Sequence, residues 1–293
     1  MKATPLLKED RLEYILESLQ CFQTSPLDRD RQKQCVLNVY VTKSERSQKD
    51  LREQEWAHMD KSIFRGMVIP SLRYLGLIIG DGEFLRLSSN GALAVAADSC
   101  SPDLKSRVLA SLVYEIDQSQ FKYLSVISSQ PSPRQVLESC LSNALLTSGP
   151  SERQRRERTR HWLHLLADTG LVENKNGVLR ISELYSVMPQ LLEVRDEDID
   201  WFLPALFSSH KQLVQSFGSE CCSIVDLRRQ VSLDELKKSS RIVTRQRFDQ
   251  LMQLVPFEGK DYMLSFGVPI GWGEDLIRYH DKQYSTLIIT ARR

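Results

Sequence analysis

Apolar positions recur at helical spacing along most of the chain, and a few short runs alternate instead. Residues 9–22 carry Leu12, Ile15, Leu16 and Leu19 on one side, which predicts a helix. Residues 23–31 contain Ser25-Pro26 and read as a loop. The apolar run from Cys35 to Val41 fits a helix or a strand. Residues 42–52 are polar, with Lys43, Glu45, Arg46, Lys49, Asp50 and Arg52, and read as a solvated helix or a linker. Residues 60–75 predict a helix capped by Asp60 or Ser62, with Phe64, Val68, Leu72 and Leu75 inward. Pro70 is expected to kink or split it, because proline has no N–H and its ring crowds the preceding turn. A small-residue helix follows from Ala92, and residues 103–116 give another with Leu104, Val108, Leu109 and Leu112 inward. Residues 121–127 are apolar and undecided between states, while 132–146 and 184–192 read as helices.

The clearest stretch is residues 151–182. Ser151, with Gln154 three positions on, has the form of a capping box. Thr159, Trp162, Leu163 and Leu166 make an inward stripe, and Gly170 suits the left-handed residue that ends a helix. Leu171-Val172 and residues 178–181 then read as two short strands, with Asn176-Gly177 as a tight hairpin turn between them. A helix followed by such a two-stranded wing is the outline of a winged helix.

The same outline occurs earlier. Gly76-Leu77-Ile78 matches Gly170-Leu171-Val172, and Leu85-Arg86-Leu87-Ser88 matches Leu179-Arg180-Ile181-Ser182. The offset is 94 positions at both ends, 76 to 170 and 88 to 182. Equal spacing across a helix end, a turn and a strand indicates two copies of one unit.

Residues 193–200 are acidic (Glu193, Asp196, Glu197, Asp198, Asp200) and mark a boundary, followed by an aromatic-rich helix over 201–217. A third unit is expected beyond it. Its first helix is 224–231, and its second is capped by Ser232 with Glu235 three positions on. Its third is 244–254, with Phe248, Leu251 and Leu254 inward and Arg245 and Arg247 outward. Residues 257–262 around Gly259 form its wing, strand 262–266 follows, and 284–290 is a closing strand. The expected fold is mainly α with small β-wings, as tandem winged-helix domains over 1–98, 99–192 and 193–293.

Composition adds bounds. A length of 293 residues suits two or three domains, and 41% apolar content can pack a core without metals or disulfides. Lys and Arg number 39 against 38 Asp and Glu, so any attraction to a polyanion must come from local clustering. Cys21, Cys35, Cys100, Cys140, Cys221 and Cys222 form no C-x-x-C pair and read as reduced thiols of a cytoplasmic protein. The N-terminus lacks a signal-peptide run, and no apolar run is long enough to span a bilayer.

The clustering is concentrated in one helix. Arg153, Arg155, Arg156, Arg158 and Arg160 crowd its first turns, and Glu152 and Glu157 offset them only in part. Positive charge near a helix N-terminus opposes the macrodipole, a cost that a bound anion relieves. The helix is therefore expected to meet double-stranded DNA, with Lys175, Asn176 and Arg180 supporting it from the wing. Lys61, Arg65 and Arg73 are the basic residues of the first copy, and Arg245 and Arg247 those of the third. The blander alternative is a surface helix whose arginines are merely solvated.

The run Ser71-Leu-Arg-Tyr-Leu-Gly-Leu-Ile, its wing, Gly91-Ala-Leu-Ala, and His161-Trp-Leu-His-Leu-Leu-Ala-Asp-Thr-Gly-Leu-Val resemble the DNA-recognition half of type IIS restriction endonucleases. That region is built from consecutive winged-helix-like subdomains, and the resemblance covers residues 55–190. It implies sequence-specific or structure-specific DNA binding and a link to restriction or anti-phage defence. It does not imply cleavage, because the nuclease half has no counterpart in the sequence. Glu173-x-Lys175, Glu235-x-Lys237 and Glu258-x-Lys260 fall in a predicted wing turn, a helix and a turn, not on the buried strand that a metal-dependent nuclease needs. His161 and His164 have helical metal spacing but no completing ligands. No phosphate-binding loop or nucleophile elbow is present, and no cofactor is expected. A nuclease, an ATPase or another protein subunit would then supply chemistry as a partner. The competing expectation is a winged-helix scaffold for protein–protein contacts in a multi-subunit complex.

Overall fold

Leu12, Ile15, Leu16 and Leu19 recur at i, i+3, i+4 and i+7, and they set the inner face of the first helix, α1 (Leu12–Thr24). The computed structural model describes residues 7, 11–24, 28–43, 51–80, 85–127, 132–144, 151–267 and 276–291. Over these residues the chain is mainly helical, with small antiparallel sheets. It divides into one unit of residues 1–87 with 97–189, and another of residues 88–96 with 190–293. Among the described residues no helix is long and apolar enough to cross a membrane.

In the first unit α1 packs on α2 (Arg29–Lys43). Val36, Leu37, Tyr40 and Val41 are buried, so the undecided run after Cys35 is helical. Cys21 and Cys35 are joined in a disulfide between these helices, with Cα atoms 5.6 Å apart. This corrects the reading of all six cysteines as reduced thiols. Spacing alone did not reveal that two helices bring this pair together.

The next helical run starts earlier than expected, with α3 (Glu53–Met59). It continues through π-helical turns (Asp60–Val68) into α4 (Ile69–Tyr74). Arg52 precedes it, and Glu55 accepts a hydrogen bond from the Arg52 amide at 2.9 Å. Asp60 and Ser62 lie inside the run and do not cap it. Pro70 does not split it either. The π-turns shift the pairing, with the Ile69 N–H bonded to the Phe64 carbonyl, and Pro70 falls in the first turn of α4, where its missing N–H is tolerated.

Strands β1 (Ile78–Ile79) and β2 (Arg86–Leu87) pair antiparallel, and α5 (Ser89–Ala97) follows. Ser101 caps α6 (Pro102–Ile116), a π-turn (Asp117–Phe121) extends it, and left-handed Lys122 leads into the short α7 (Tyr123–Val126). Then come β3 (Ser132–Pro133), α8 (Arg134–Ala144), α9 (Glu152–Asp168), β4 (Val172–Lys175), β5 (Val178–Ile181) and α10 (Glu183–Leu192). The sheet order is β3-β5-β4, so the strand ahead of α8 lies beside the last strand of the hairpin.

The 94-residue repeat holds at the level of single pairs. Ile78 faces Leu87 and Ile79 faces Arg86, as Val172 faces Ile181 and Glu173 faces Arg180. The Ser88 hydroxyl accepts from the Gly91 amide at 2.9 Å, and the Ser182 hydroxyl accepts from the Tyr185 amide at 3.2 Å. Gly76 and Gly170 both take positive φ, 63° and 77°, at the helix ends.

The second unit contains α11 (Ile199–Phe217), β6 (Cys222–Ser223), α12 (Ile224–Ser239), α13 (Arg245–Leu254), β7 (Tyr262–Gly267), the hairpin β8 (Ile277–Tyr279) and β9 (Lys282–Tyr284), and β10 (Thr286–Ala291). Its sheet order is β6-β10-β7. Phe202, Leu206, Leu227, Val231, Phe248, Leu251 and Leu264 lie in its core. The two helices expected over 224–240 are one. Ser232 is buried inside α12, where its hydroxyl donates to the Val243 carbonyl at 2.6 Å, so it fills a core position and caps nothing.

Candidate nucleic-acid interface

The capping box of α9 forms as its residues predict. The Ser151 hydroxyl accepts from the Gln154 amide at 3.3 Å, and the Gln154 side chain accepts from the Ser151 amide at 3.0 Å. Thr159, Trp162, Leu163, Leu165 and Leu166 are buried. Two polar contacts fix the roll of the helix. The Trp162 indole donates to Asp117 Oδ1 at 2.8 Å, and the Thr159 hydroxyl lies 3.3 Å from the Tyr123 hydroxyl.

Asp117 is fully buried, and it also accepts from the Tyr123 amide at 3.3 Å and the Leu124 amide at 3.0 Å. Burial pushes its carboxyl above the usual range, against the opposing pull of those three N–H donors. Burial also lifts the Tyr123 phenol to about 12. Sequence reading missed Asp117 because an acidic residue between two apolar runs reads as a surface position.

With the inward face locked, residues 153, 156 and 160 share one outward edge. Arg153 and Arg160 are exposed and make no ion pair among the described residues. Arg156 pairs with Glu152 at 2.7 Å one turn back, both side chains being well exposed. Arg155, Arg158 and Glu157 are half-buried. Arg153, Arg156 and Arg160 line a cleft of about 590 Å³ together with Glu138, Glu152 and Glu157. Glu138 in turn accepts from Arg134 at 2.9 Å along α8. The cleft is therefore lined by charges of both signs.

The hairpin turn is built by Asn176 and Gly177, at φ 54° and 78°, with the Gly177 amide donating to the Asn174 side chain at 3.2 Å. Asn176 is exposed at its tip. Lys175 and Arg180 are exposed but share one counter-ion, Glu173. Its Oε2 lies 2.8 Å from Arg180 Nε, 2.6 Å from Arg180 Nη2 and 3.3 Å from Lys175 Nζ. Arg180 first, then Lys175, holds the Glu173 carboxyl below the usual range.

The first copy differs. Lys61 is exposed, Arg65 pairs with Asp60 (Nε at 3.0 Å), and Arg73 donates to the Gly80 carbonyl at 2.6 Å, bracing the end of β1. In the second unit Arg245 is half-buried, and its amide donates to the Asn90 side chain at 2.8 Å. Arg247 is the clear correction. It is expected outward but is buried, donating to the Ile242 carbonyl at 2.9 Å and lying 3.9 Å from Asp198 under the Trp201 ring. Helical phase puts it next to Phe248 on the core face, and Asp198 and Trp201 come from a distant part of the chain, so its charge was a poor guide.

Glu173 is on β4, and Glu235 is buried against Arg241 and Ser239 at 2.9 and 2.8 Å. Glu258 bridges to Met263. His161 and His164 face Glu157 and Asp168 respectively, each at 3.8 Å. Among the described residues no three His, Cys, Asp or Glu side chains gather as a metal site. No family model, no curated protein and no solved structure matches the chain.

Proposed function

We propose that the chain is a double-stranded DNA-binding protein, sequence-specific or structure-specific, whose first unit grips the duplex with the outward edge of α9. One observation carries this reading: Arg153, Arg156 and Arg160 stand at i, i+3 and i+7 on a helix whose other side is fixed by buried contacts. A guanidinium presents a planar fork of donors that suits phosphate oxygens. The order helix, strand, helix, helix, hairpin, with its first strand beside its last, supports reading residues 102–181 as a winged helix. The same strand order in the second unit supports a further copy, and the pairwise 94-residue repeat supports a tandem arrangement. The resemblance to restriction-enzyme recognition regions extends the proposal to cytoplasmic restriction or anti-phage defence, beside a nuclease, ATPase or other subunit that performs the chemistry.

A scaffold that binds proteins is the second reading. It is favoured by the balanced charge of the cleft beside α9 and by Glu173, which neutralises part of the wing. One experiment separates the two. Anisotropy of a labelled random duplex is titrated with salt against the full chain and the variant Arg153→Ala/Arg156→Ala/Arg160→Ala. Each lost phosphate contact lowers the log–log slope by about 0.9, so the triple variant lowers it by about 2.7 if all three touch the backbone. An unchanged slope and affinity would reject α9 as the contact, and absence of wild-type binding at low salt would favour the scaffold.

A further inference from the structure

The second unit carries a polar helix face that the basic-helix reading leaves unused. On α13 the buried positions are Arg247, Phe248, Leu251 and Met252. The exposed ones are Gln246, Gln250 and Gln253, at i, i+4 and i+7 on one stripe. This stripe contains no charge, whereas the outward edge of α9 exposes Glu152, Arg153, Arg156 and Arg160. Gln246 and Gln250 make no hydrogen bond among the described residues.

Gln253 has a different job. Its side-chain amide donates to the Arg278 carbonyl and holds the hairpin β8–β9 against the helix. The Tyr279 hydroxyl donates to the Val255 carbonyl at 2.8 Å, and Phe266 stacks on Tyr279 at 4.5 Å, so the hairpin is fastened at the C-terminal end of α13. Its exposed residues include Arg278, His280, Lys282 and Gln283. Arg278 pairs with Asp281 at 2.8 Å, and Lys282 makes no ion pair among the described residues.

A glutamine amide carries a donor and an acceptor that match N7 and N6 on the major-groove edge of adenine. Cations beside such a helix suit the adjoining phosphates. We infer that α13 is a base-reading helix, with Gln246 and Gln250 determining preference for adenine-containing duplex, and with Lys282 and Arg278 contacting the backbone. The inference rests on the DNA-binding reading above but gives a separate helix a separate job. The α9 edge supplies affinity regardless of sequence, and α13 supplies the choice of site.

The test is selection of the full chain on a pool of randomised duplexes, followed by titration of the enriched and random sequences. The wild type enriches a motif containing adenine. Gln246→Ala/Gln250→Ala keeps its affinity for random duplex but loses about 5- to 150-fold of preference at each adenine read by a glutamine. Lys282→Ala weakens enriched and random duplex alike and lowers the salt slope by about 0.9. All three side chains are exposed, and circular dichroism checks that the variants fold. A wild type that binds duplex yet enriches nothing, or a double variant that enriches the same motif, overturns this inference and leaves the α9 reading intact. A wild type that binds no duplex overturns both.

Discussion

Replacing Asp249 by alanine takes the carboxylate away from a guanidinium that water does not reach. Arg228 is fully buried, the largest such side chain in the described structure. Its Nε donates to Asp249 Oδ1 at 2.8 Å and its Nη2 to the Leu276 carbonyl at 3.1 Å, with the Phe248 ring 5.9 Å from its centre. Breaking one side of a buried ion pair costs about 3–5 kcal/mol, because the surviving charge stays desolvated. The Asp249 side chain is 29% exposed, which screens the pair and points to the lower end, about 3 kcal/mol. Arg228→Met removes the buried charge itself and leaves a carboxylate that can turn to water, so it costs less, about 1 kcal/mol.

The ordering is the sharp part of this prediction. Urea unfolding of the full chain, followed by circular dichroism and tryptophan emission, reads it directly. With slopes of about 1–3 kcal/mol per molar, Asp249→Ala lowers the midpoint of the second unit by roughly 1–3 M. The double variant Arg228→Met/Asp249→Ala should be more stable than Asp249→Ala alone. If Arg228→Met is as damaging as Asp249→Ala, the cost lies in lost packing, and the desolvated-charge argument is wrong.

Two further outcomes are expected. Glu173→Gln removes the counter-ion shared by Arg180 and Lys175, so on the proposed reading duplex affinity rises and the salt slope steepens by up to about 0.9 for each freed cation; unchanged or weaker binding in the anisotropy titration would show that the β4–β5 hairpin does not meet DNA. Asp117, raised by burial, holds its proton to higher pH in the folded chain than in the unfolded one, so its contribution is full below the ordinary value of 3.8 and is lost as pH rises through the folded pKa. The stability of the wild type relative to Asp117→Asn therefore falls across that window, and parallel urea midpoints at every pH would contradict it.

Local chemistry was the legible part of this chain. Ser151 and Gln154 announce their cap, Asn176-Gly177 its turn, and the matched runs around Gly76 and Gly170 a repeat that survives to individual strand pairs. These features depend on neighbours a few positions away, which sequence spacing displays. What stayed hidden depends on distant partners. Arg247 is drawn inward by Trp201 and Asp198, Arg228 by Asp249, and Asp117 by an indole 45 positions on. The hairpin β8–β9 was missed because its strands are three residues each and hold to α13 through Tyr279 and Gln253. Within the candidate site, arginine density singled out α9, but only the burial of Thr159 and Trp162 separates the outward Arg153 and Arg160 from the half-buried Arg155 and Arg158.

The most direct measurement is the salt dependence of binding between the full wild-type chain and a short random duplex. With α9 contributing three phosphate contacts and the hairpin of the second unit one or two more, log affinity should fall linearly with log salt, at a slope of about −3.6 to −4.5. A flat dependence, or no detectable complex at about 50 mM salt, would contradict a duplex-gripping role for this protein.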